Sequence, residues 1–153
     1  MPNLTVTHTE NIVIQGKQQG STRTMNFPNI VDVFTRVFSF KQGTLTPLYT
    51  THNDTVSAGV FDDGSIKYTR ITSLGAEPLI IEVNSEGNLN KLYELQQGQS
   101  YYIYSHTLST FAEGDGIDAA DYTDLKDIDS VKAYCVRGAG RVEVFIASTE
   151  ASK

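Results

Sequence analysis

At 153 residues with a formal net charge of −6, the chain can bury roughly two thirds of its unfolded surface as one domain without covalent staples. Its one cysteine cannot close an internal disulfide. The acidic balance, with no Lys/Arg run, argues against nonspecific nucleic-acid binding, which needs cations to displace phosphate counterions.

The start, "MPNLTVTHTENIVIQG", has no basic cluster and no apolar run long enough for a leader or a membrane span, so neither general secretion nor a membrane partner is expected. The sequons at Asn3 and Asn53 then read as threonine-rich strand and loop. Residues 1–29 are polar, with short apolar pieces at Leu4 to Val6 and Ile12 to Ile14, and read as an extended N-terminal arm or edge strands. Residues 30–153 read as the folded domain.

In "VDVFTRVFSF" the residues Val31, Val33, Thr35, Val37 and Ser39 alternate with Asp32, Phe34, Arg36, Phe38 and Phe40. Both faces are partly apolar, as in a strand covered on two sides or lying at a subunit contact. Pro47 in "TLTPLYTT" predicts an edge strand or a bulge. The Asp-Asp-Gly-Ser turn then introduces the alternating "IKYTRITSL", and a β-branched "EPLIIEV" follows. "KLYEL", "QQGQ" and "SYYIYSHTLSTF" read as a hairpin whose second strand holds the densest aromatic group, with Tyr102 and Tyr104 on one face and Tyr101 on the other with Ile103. The closing "DSVKAYCVRGAGRVEVFIAS" reads as another hairpin, Val131 to Val136 paired with Arg141 to Ala147 around a glycine turn, with Cys135 buried as a small hydrophobe. The pattern is that of an all-β protein, an antiparallel β-sandwich, jelly-roll-like, of about eight to ten short strands.

Chemistry is hard to find. The loop with Asp115, Asp118, Asp121 and Asp124 offers oxygens to a hard cation, but its spacing lacks the alternating ligands and sixth-position glycine of a helix-loop-helix calcium site, so it reads as a solvated acidic loop. His8, His52 and His106 form no metal-binding spacing. No nucleophile context accompanies any Ser/His/Asp combination, so neither enzymatic activity nor a cofactor is expected. Phe34, Phe38, Phe40, Tyr102 and Tyr104 remain as candidate interface residues, since aromatic area that one core cannot absorb serves protein contacts or stacks on sugars.

The succession "FDDGSIKYTRITSL", "LIIEV", "YELQQGQSYYIYS" and the closing segment, Phe61 to Ser148, resembles small virion structural proteins of tailed bacteriophages. That resemblance implies a non-enzymatic subunit of the capsid surface (decoration or cement), neck or tail. It implies a homo-oligomer whose partners are other copies of itself and other virion proteins, major capsid, portal or tail, and a place in the virion. The alternative is a carbohydrate-binding β-sandwich module, disfavoured by the absence of tryptophan.

Overall fold

A computed structural model describes residues 1–51, 59–62, 64–85, 89–108 and 126–151. The described chain is all-β: β1 (Leu4–Thr9), β2 (Val13–Ile14), β3 (Lys17–Gln18), β4 (Thr22–Phe27), β5 (Asp32–Phe40), β6 (Thr46–Thr50), β7 (Gly59–Val60), β8 (Ile66–Ser73), β9 (Leu79–Ser85), β10 (Leu89–Leu95), β11 (Ser100–Ile103), β12 (Thr107–Leu108), β13 (Lys126–Cys135) and β14 (Gly140–Ser148).

Two sheets make the sandwich. One runs β10-β9-β13-β6-β7, with β12 beside β13, and the other runs β11-β8-β14-β5. Setting aside the two-residue strands, the orders β5-β14-β8-β11 and β6-β13-β9-β10 interleave along the chain as in an eight-stranded jelly roll. The sequence pattern builds this directly. Val131, Ala133 and Cys135 from one sheet and Val142, Val144 and Ile146 from the other are all fully buried, so the period-two alternation of both strands fills one core from opposite sides.

That placement corrects two expectations. β13 pairs with β6 and β9, whereas β14 pairs with β5 and β8. The closing segment is therefore an arch that crosses between the sheets, not a hairpin within one. Gly138, with φ at 67°, supplies the left-handed residue in the crossing. β10 and β11 likewise belong to different sheets, with "QQGQ" as a second arch. Inward-facing residues alternate identically in a hairpin and in an arch, so alternation cannot choose between them. Cys135 is fully buried as expected, and its thiol donates to the carbonyl oxygen of Arg137 at 2.9 Å.

Pro47 sits where the register between β13 and β6 shifts, from Val131 opposite Tyr49 to Lys132 opposite Pro47. The missing N–H is thus accommodated by a bulge. A second shift, next to Ser148 in the β14–β8 ladder, lets Ile66 point into the core while Tyr68, two residues on, joins a separate cluster with Ile30 and Ala147 on the outer side.

Candidate interaction surface

The polar N-terminal segment, expected as an extended arm or edge strands, forms strands. β1 and β4 pair from Leu4 opposite Phe27 to Thr9 opposite Thr22. Backbone bonds from Glu10 N–H to Ser21 O (2.8 Å) and Gln19 N–H to Ile12 O (2.9 Å) carry the same register into the β2–β3 pair. One hairpin therefore runs unbroken from Leu4 to Phe27. Its turn is Gln15-Gly16, with φ at 50° and 76°; positive φ at both central residues matches the strand twist of a two-residue hairpin. Threonines line its exposed face, with Thr5 donating to Asn26 Oδ1 at 2.9 Å and Thr7 and Thr9 opposite Thr24 and Thr22 at 3.3 Å each.

The root of the hairpin is docked. Leu4, Val6 and Phe27 pack on the outer face of the four-stranded sheet against Ile30, Tyr68, Ala147, Tyr102 and Phe145. The Ile30 N–H donates to Pro2 O at 3.0 Å. Tyr68 is ringed by Phe27, Tyr104 and Phe145 at centroid distances of 5.6, 5.8 and 6.0 Å. His8 stands edge-on to Tyr102 at 4.5 Å and shares a 2.9 Å hydrogen bond between its Nε2 and the Tyr104 hydroxyl. Burial pushes the Tyr68 hydroxyl up to about 12, opposed by the Arg70 charge and reinforced by Tyr102 and Tyr104. Burial, with Tyr102 beside it, also raises Tyr104. Arg70 itself is held by Glu143 at 2.6 Å and lies over the Phe145 ring at 5.5 Å.

The tip is bare. Ile12, Val13 and Ile14 are 51%, 66% and 52% exposed, and the tip lies six residues beyond His8, roughly 20 Å at about 3.3 Å per residue. Three consecutive half-exposed aliphatics on a polar stalk are the most concentrated exposed apolar group among the described residues.

A second apolar surface lies on the outer face of the six-stranded sheet. Pro78, Ile80 and Val136, with Glu94 and Arg137, line a cavity of about 340 Å³. Leu45, Ile80, Leu92 and Tyr134, with Glu82, line an adjoining one of about 280 Å³. Ile80 belongs to both, so they form one groove along β9.

The sequence-predicted residues divide. Phe40 is buried in the main core and Phe34 and Phe38 pack half-buried against it, with Phe34 edge-on to Phe61 at 5.8 Å. The exposed side of β5 is instead its valines, Val33 and Val37, continued by Val31. Tyr102 and Tyr104 contact the hairpin root, and Tyr101 turns inward, stacked on Tyr93 at 4.3 Å. Sequence reading missed the groove, although Ile80 stands outward between the core residues Leu79 and Ile81, and Leu92 stands outward beside Tyr93 on the neighbouring strand. It also missed the hairpin, whose Gln-Gly turn is a weaker signal than Asn-Gly.

The Tyr49 hydroxyl lies 3.1 Å from His106 Nε2, and burial raises its pKa. Among the described residues no three His, Cys, Asp or Glu side chains gather as metal ligands would, and no helix is long and apolar enough to cross a membrane. Asp115, Asp118, Asp121 and Asp124 lie outside the described residues, as does His52. No family model matches the chain, and neither a curated protein nor a solved structure matches it.

Proposed function

We propose that this chain is a non-enzymatic structural subunit of a tailed-phage virion, a capsid decoration or cement protein or a neck or tail component, acting through contacts with its own copies and with other virion proteins. The observation that carries the reading is the hairpin, whose root is fixed by packing while its three-residue apolar tip is held clear of the sandwich. An apolar end on a stalk docked only at its root is not used inside its own fold and suits a contact with another chain. The jelly roll is compatible with this role without implying it, since the same architecture serves capsid proteins and lectins. The sugar-binding alternative loses much of its aromatic platform, because Tyr68 and Tyr102 are engaged under the hairpin root.

Mass spectrometry of gradient-purified particles tests the reading. The chain is expected as a stoichiometric multi-copy component that survives high-salt washing. Recovery of the chain only as a free monomer, with no particle containing it, would overturn it.

A further inference from the structure

Root and groove lie on opposite sides of the sandwich. The root docks on the outer face of the four-stranded sheet through Tyr68, Tyr102 and Phe145, and the groove is cut into the outer face of the six-stranded sheet, where Ile80, Leu92 and Tyr134 alternate with buried Ile81, Ala133 and Leu95. The tip of a chain stands exposed and does not fill the groove of the same chain. We propose that the Ile12-Val13-Ile14 tip of one copy seats in the β9 groove of the next. The contact joins two different surfaces, so it is heterologous and propagates head to tail, closing into a ring or continuing as a row.

The chemistry of the two surfaces matches. Three adjacent aliphatics meet a groove walled by Pro78, Ile80, Val136, Leu45 and Leu92. The hairpin end carries Lys17 and Glu10, and the groove carries Glu82, Glu94 and Arg137. Lys17, across from Ile14 in the last rung of the hairpin, can face Glu94 on the groove lip, while Glu10 at the hairpin neck can face Arg137. That pairing matters in a chain of net charge −6, whose copies repel at long range. Three side chains make a weak single contact, and its strength comes from repetition in a closed or anchored array.

The inference rests on reading the hairpin as an assembly arm, and it can fail separately from the virion assignment because it is tested on the purified full-length chain alone. Single variants Ile14→Cys, on the face that Lys17 shares, and Leu92→Cys are mixed at high concentration and mildly oxidised. Native Cys135 is fully buried and serves as an internal negative. The mixed disulfide between the two variants is expected at about tenfold over Ile14→Cys mixed with Thr35→Cys, a control on the outer face of the other sheet, as a raised effective concentration produces. Lys17→Glu on the tip copy should reduce the yield, and Glu94→Lys on the groove copy should restore it. Equal yields for both mixtures, or a dominant Ile14→Cys disulfide with itself, overturn the proposal. A chain found in particles but showing no tip-to-groove disulfide refutes this contact alone, whereas a clean tip-to-groove disulfide in a chain absent from particles refutes the virion reading alone.

Discussion

The root and the tip of the N-terminal hairpin are built from the same two strands in a single register, yet one end is buried and the other is not. At the root, apolar Leu4 and Val6 alternate with threonines, so one face docks and the other is solvated. At the tip the apolar residues are consecutive, so both faces are apolar, and the sheet that docks the root covers neither. The difference shows how one short ladder can divide its tasks: alternation anchors it to its own fold, and a break in alternation leaves surface for another molecule.

The largest expected effect breaks the root. Tyr68 is 4% exposed and touches rings on the hairpin, on β14 and on the segment after β11. Tyr68→Ala should cost about 3 kcal/mol, in the range of large-to-small changes at buried aromatics. It should also loosen the hairpin, read as a lowered urea midpoint and faster proteolysis between Glu10 and Ser21. Deleting residues 1–29 should be comparably harmful, because it strips the cover from Tyr68 and Ala147; the hairpin is part of the fold and not a detachable arm.

Alkaline titration probes the same region without mutation. The Tyr68 pKa rises from 10.0 to about 12 on folding, so between those values the native state holds a proton that the unfolded chain has lost. Stability is full below pH 10 and falls as pH rises through about 12. Tyrosinate absorbance should show the exposed phenols ionising first and a late group ionising together with unfolding. Tyr68→Phe should remove its part of that late step, and an unchanged profile would show that the root does not protect the hydroxyl.

A smaller effect is expected at His8, which clamps the last docked rung. His8→Ala removes one hydrogen bond to Tyr104 and one edge-on ring contact, together about 1 kcal/mol. Denaturant melts of His8→Ala, Tyr104→Phe and the double variant would measure the coupling, and strict additivity would show that the two side chains do not act together.

Much of this arrangement was legible in the sequence and some was not, for reasons that particular residues make clear. Alternation correctly located the buried faces of β13 and β14 and separated Tyr101 from the face of Tyr102, because period two reports the face of a strand. It could not report the strand's partner. Four residues, Val136 to Ala139, are enough either for a hairpin loop or to cross between sheets about 10 Å apart, so the arches were read as hairpins. Phe34, Phe38 and Phe40 look surplus in the sequence because their strand is apolar on both faces. The sandwich absorbs the phenylalanines and leaves the smaller Val33 and Val37 outside, a choice set by the volume the opposing sheet leaves open rather than by the local pattern.

The smallest effect on stability belongs to the tip, and it makes the sharpest contrast with the root. Ile12, Val13 and Ile14 contribute no buried area to their own fold comparable to that of Leu4 or Phe27. Changing all three to threonine keeps β-branched side chains that favour the strand and leaves the Gln15-Gly16 turn intact. The folded chain should therefore melt within about 0.5 kcal/mol of the parent, as substitutions at exposed sites do. Self-association at high concentration, measured by sedimentation, should nevertheless be lost, because the apolar area that rewards contact with a second chain has been removed. The two readouts must separate: a triple variant that melts much earlier would mean that the tip is packed in its own fold, and one that associates unchanged would mean that the bare residues are not the contact. With the parent, Tyr68→Ala and the triple variant measured side by side, the root should govern folding and the tip association.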